Sequence, residues 1–117
     1  MPEVRVFASH KDCLSDLSLT IQPIGYGNYK VTLYLLNGKR VEMSSKLYNE
    51  RQLRLAASTN ANGVGPYKFT YAPDMNALRL FCFHQGLDGG ILRQSSFMGY
   101  VLPEEFGKAV REVLQSG

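Results

Sequence analysis

Apolar and polar residues alternate with a period of two through much of this chain, and glycine-containing stretches break the alternation. That period places successive side chains on opposite faces of a strand. Val4-Arg5-Val6-Phe7 reads as a short strand, and Leu19-Thr20-Ile21-Gln22 as another that stops at Pro23. Between them, Ser9 suits the cap of a brief helical turn over His10 to Leu14, with Leu14 and Leu17 facing inward.

Two stretches repeat. Gly25-Tyr26-Gly27-Asn28-Tyr29-Lys30-Val31-Thr32 returns as Gly63-Val64-Gly65-Pro66-Tyr67-Lys68-Phe69-Thr70, a G-x-G-x-Y-K-[V/F]-T pattern. Each copy opens on glycines, enters a β-prone run and is followed by a turn signal and a second run. Each is therefore expected to begin a hairpin.

In the first hairpin a three-residue Leu36-Asn37-Gly38 turn pairs Leu35 with Lys39, Leu33 with Val41 and Val31 with Met43. The other face then collects Lys30, Thr32, Tyr34, Arg40, Glu42 and Ser44. In the second, a Pro73-Asp74-Met75-Asn76 turn pairs Ala72 with Ala77. Tyr67, Phe69, Tyr71, Leu78, Leu80 and Cys82 share one face, and Lys68, Thr70, Arg79, Phe81 and Phe83 the other.

Ser44 and Ser45 are expected to cap a helix over Lys46–Ala57, although Gln52-Leu53-Arg54-Leu55 also alternates like a strand. Residues 58–63 have loop chemistry. Ile91–Ser96 and Tyr100–Leu102 suggest two further strands. Pro103, Glu104 and Glu105 open a terminal helix whose stripe is Phe106, Ala109, Val110, Val113 and Leu114. Phe81 and Phe83 are its expected landing site. The expected fold is α+β: an antiparallel sheet of about five to six strands around the two hairpins, one inner helix, and a C-terminal helix packed on the sheet.

Composition narrows this picture. The 117 residues are 44% hydrophobic and 20% charged, which suits one soluble domain over 1–117. Thirteen Lys and Arg against ten Asp and Glu give +3, too mild to mark a dedicated duplex-binding protein. Cys13 and Cys82 have no spacing that demands a pair. The start lacks the layout of a signal peptide, and no apolar stretch nears the roughly 20 residues of a membrane span. A cytoplasmic protein is expected.

Catalytic chemistry is thinly supported. His10 and His84 are far apart, and no cysteine pair has metal-ligand spacing. His84 precedes Asp88 across a glycine-rich turn, but Ser95, Ser96 and Cys82 lack the surroundings of a nucleophile. Strand-like residues follow each G-x-G, whereas a phosphate loop needs a strand before the glycines and a helix after them. No enzyme activity, metal or cofactor is expected.

The polar sheet face remains. Lys30, Thr32, Tyr34 and Arg40 from one hairpin, with Lys68, Thr70 and Arg79 from the other, suit tracking of a phosphate backbone while aromatics stack on bases. Tyr26 and Tyr29, with Arg51 and Arg54 nearby in sequence, would extend that surface. The expected function is non-enzymatic binding of single-stranded nucleic acid. The same residues also suit a merely solvated strand face. A protein-binding module is the alternative: an adaptor or small inhibitor acting through this face or a sheet edge, with homodimerisation a further use of that edge. Two hairpins followed by a closing helix resemble, in the order of elements alone, the arrangement of Whirly-type single-stranded-DNA-binding domains.

Overall fold

The computed structural model describes residues 2–8, 16–37 and 39–116. The alternating stretches form seven strands: β1 (Glu3–Ala8), β2 (Asp16–Gly25), β3 (Asn28–Asn37), β4 (Lys39–Asn49), β5 (Thr70–Ala72), β6 (Ala77–Asp88) and β7 (Ile91–Val101). All neighbours are antiparallel, in the order β4-β3-β2-β1-β7-β6-β5. The α+β class is as expected, but there are seven strands where five to six were expected. Strand β1, expected from Val4-Arg5-Val6-Phe7, pairs with β2 on one side and β7 on the other and so joins both meanders into one sheet. Strand β2 also runs past Pro23, with a register shift between Pro23 and Gly25. Ile91–Ser96 and Tyr100–Leu102 are not separate strands: one strand, β7, spans 91–101 and includes Gly99.

The helix expected over 46–57 is shorter. Lys46, Leu47 and Tyr48 belong to β4, paired with Val31, Lys30 and Tyr29. Helix α1 (Glu50–Ala56) begins only where Asn49 caps it. The Asn49 side chain accepts the Gln52 N–H at 2.8 Å, and the Gln52 side chain accepts the Asn49 N–H at 3.0 Å, a reciprocal capping box. Ser44 and Ser45 are strand residues. Ser44 Oγ lies 2.9 Å from the Tyr67 hydroxyl, and Ser45 Oγ 3.1 Å from Thr32 Oγ1.

The register of the second hairpin is the expected one, Ala72 with Ala77 and Thr70 with Arg79. That of the first differs. Leu35 faces Val41 rather than Lys39, and Tyr34 faces Glu42. A two-residue shift preserves parity, so Tyr34, Arg40 and Glu42 keep a common face. The register then slips again between Leu33 and Tyr34, which sets Ser44 opposite Leu33 on the core side and Ser45 beside Thr32.

One face of the sheet builds the core from Val4, Val6, Leu17, Leu19, Ile21, Val31, Leu33, Leu78, Leu80, Cys82 and Val101, all buried. Helix α2 (Pro103–Ser116) packs against β1, β2 and α1 with its predicted stripe inward, and Phe106 stacks on Phe69 at 4.8 Å. It does not land on Phe81. Leu80 and Cys82 take the inward positions of β6, so the intervening Phe81 faces out and is 39% exposed. The side chain of Phe83 and the turn expected over residues 10–14 lie outside what the structure describes.

The second repeat copy seals the curled sheet. Gly63 and Gly65 have φ of +67° and +71°, Val64 bridges Phe69, and regular strand starts only at Thr70, after Lys68 at φ +55°. Tyr67 accepts the Phe81 N–H at its carbonyl at 2.7 Å and donates its hydroxyl to the Val31 carbonyl at 3.2 Å. With that proton committed, Ser44 is the donor to Tyr67. One tyrosine thus ties β3 and β4 to β6, and the opposite arms of the sheet meet across it. Among the described residues, no helix is long and apolar enough to cross a membrane.

Candidate nucleic-acid interface

The outward face follows from the pairing. One row across the strands reads Glu42, Tyr34, Ser18 and Arg5. The next reads Ser45, Thr32, Thr20 and Glu3. Beyond β1, Phe7 faces Tyr100, which faces Arg79, which faces Thr70, and Phe81 faces Met98 on the adjacent row. Among the described strand side chains this face carries Arg5, Lys30, Arg40 and Arg79 against Glu3 and Glu42.

All the hairpin residues expected at the site, apart from Lys68, lie on this face, but in two groups. Lys30, Thr32, Tyr34 and Arg40 sit on β3 and β4, and Thr70 and Arg79 on β5 and β6. Four strand steps separate β3 from β6, about 19 Å along the sheet. Several are already engaged. Thr32 is buried and bonded to Ser45. Arg40 lies 4.8 Å over the Tyr34 ring and makes a 2.7 Å ion pair with Glu3. Thr70 Oγ1 accepts the Gly63 N–H at 3.0 Å and donates to the Lys68 carbonyl at 3.2 Å, so its hydroxyl holds the loop. Lys68 is exposed but precedes the strand.

Tyr26, Arg51 and Arg54 belong elsewhere. Tyr26 is fully exposed in the β2–β3 turn, and the two arginines lie on α1, which leaves the sheet at that same end. Arg54 bonds Glu50 at 2.9 Å.

The pairing also assembles residues the sequence reading left out. Phe7 is 43% exposed, has Arg5 at 5.6 Å over its ring, and neighbours Tyr100. With Arg79 and Phe81 these residues form a patch of aromatics interleaved with arginines over β1, β7 and β6. The alternation of Val4-Arg5-Val6-Phe7 already placed Arg5 and Phe7 on one face. Only the pairing of β1 with β7 shows that this is also the face of Arg79. His84 lies opposite Ser95 in the register, with Asp88 at the end of the strand; their side chains are outside the description.

Comparison with known proteins finds no matching family, no curated protein of significant similarity and no significantly similar solved structure.

Proposed function

We propose that this chain is a non-enzymatic module that binds single-stranded nucleic acid across the outward face of its sheet. The observation that carries this reading is the row Phe7–Tyr100–Arg79 with Phe81 beside it, on a part of the sheet that the terminal helix leaves open. Bases stack on exposed rings whatever their sequence, and guanidiniums alongside follow the phosphates. Stacking of this kind needs bases that are not paired, hence a single strand. Lys30 and Arg40, on β3 and β4 beyond β2, would extend the path of the backbone, and the modest net charge suits a patch rather than a whole basic surface.

Fluorescence polarisation with labelled single-stranded oligonucleotides, repeated at several salt concentrations, tests this. Replacing Phe7 or Phe81 by alanine is expected to weaken binding about five- to one-hundred-fold per ring, with the chain still folded by circular dichroism. Arg79→Ala is expected to weaken all sequences alike and to reduce the salt slope by about one unit. Absence of binding at low salt would overturn the reading and turn attention to a protein partner on the same aromatic patch.

A further inference from the structure

Arg40 is laid across the outward face rather than projecting from it. Its guanidinium lies 4.8 Å over the Tyr34 ring, well inside cation–π range, and makes a 2.7 Å ion pair with Glu3. Tyr34 is on β3 and Glu3 on β1, so this side chain crosses β2, where Ser18 stands opposite Tyr34 and Thr20 opposite Glu3. Both hydroxyl residues are buried, at 3% and 2% exposure, on a face that no helix covers.

The crossing is weakly held. Arg40 and Glu3 are 42% and 38% exposed, and an ion pair in that setting contributes little. Among the described residues the Ser18 hydroxyl has no hydrogen-bond partner. A buried hydroxyl left unpaired penalises the closed arrangement, and lifting Arg40 would let water reach it.

We propose that the Tyr34 ring is a further base-stacking site, closed in the free protein by Arg40 and latched by Glu3. The site rests on the nucleic-acid reading, since it needs a ligand that carries bases and phosphates together. Arg40 occupies the ring face that a base would take, so base and guanidinium exclude each other there. A strand brings its own means of release. Its phosphate competes with the Glu3 carboxylate for the guanidinium, and the uncovered ring takes the adjoining base. Glu42, directly opposite Tyr34, adds a second carboxylate to the closed face and helps to hold an anionic strand off until Arg40 is freed.

Fluorescence polarisation with a labelled single-stranded oligonucleotide tests this as a double-mutant cycle between Glu3→Gln and Tyr34→Leu. Glu104→Gln on the exposed side of α2 controls for the change of one charge, and Tyr34→Phe for the ring. Glu3→Gln is expected to tighten binding about two- to five-fold, the range set by an exposed ion pair. In the Tyr34→Leu background it is expected to do no more than Glu104→Gln, whereas Tyr34→Phe keeps the full gain. Within the Glu3→Gln protein, Tyr34→Leu is expected to weaken binding about five-fold or more, the loss of one stack. Equal gains from Glu3→Gln in both backgrounds would reveal an effect of charge alone and overturn the latch. Unchanged affinity on adding Tyr34→Leu to Glu3→Gln would overturn the stacking site, while a loss of binding in Phe7→Ala would leave the aromatic patch standing. If no variant binds the oligonucleotide, the nucleic-acid reading falls and this site with it.

Discussion

Gly65 and Gly27 hold matching positions in the two repeat copies, yet they are needed for different reasons. Both have positive φ, +71° and +74°. A Cβ on Gly27 would meet nothing, whereas one on Gly65 would run into the ring of Tyr48. Gly27→Ala is therefore expected to cost about 1 kcal/mol of backbone strain. Gly65→Ala is expected to cost about 3 kcal/mol or more, because the Tyr48 ring must leave its place, as urea unfolding would show. The repeat is plain in the sequence. The close approach is not, because it depends on a tyrosine that only the fold brings there. Phe81 shows the same limit. Its parity was readable, but whether a helix covered it was decided by where α2 docks.

At the scale of elements, α1 is held by its N-terminal cap and by the burial of Leu53 and Ala56 in the core. Seven residues are too few for a helix to persist on propensity alone. Asn49→Ala removes the cap and is expected to lower stability by about 1 kcal/mol, measured as a shift of the urea midpoint at constant m-value. Alternation located the strands, and turn chemistry set the second hairpin's register correctly. In the first, the bulge near Met43 exchanged Ser44 for Ser45, and a single inserted residue of this kind leaves no mark in a hydrophobic pattern. The boundary between β4 and α1 was misplaced for a related reason. Lys46-Leu47-Tyr48 suits a helix as well as a strand, and pairing with β3 tips the balance.

Across the whole molecule, the two halves of the sheet are tied through Tyr48 and Tyr67, whose rings stack at 6.2 Å. The Tyr48 hydroxyl accepts the Tyr67 N–H at 2.8 Å. Burial pushes the Tyr67 phenol up to about 12 from its ordinary 10.0 and raises that of Tyr48 as well. Both must stay neutral in the folded state, while the unfolded chain ionises near pH 10. Their contribution to stability is thus complete below pH 10 and is lost as the pH climbs toward 12, at about 1.4 kcal/mol per pH unit for each tyrosine. Urea midpoints across this range are expected to fall steeply. Tyrosinate absorbance should show two of the seven tyrosines titrating only as the chain unfolds.

The sequence by itself determined the local facts: an antiparallel α+β chain, two related hairpins, a terminal amphipathic helix, and the parity that groups Tyr34 with Arg40 in one hairpin and Arg79 with Phe81 in the other. These depend on residues a few positions apart, so periodicity and turn chemistry suffice. Tertiary structure decided everything that depends on strand order. The central place of β1 sets Phe7 and Arg5 beside Tyr100 and Arg79, and it brings Glu3 within reach of Arg40 over Ser18. Pairing between distant segments has no period to read. It is fixed by which faces bury the most apolar surface together, and the candidate site is a product of that choice.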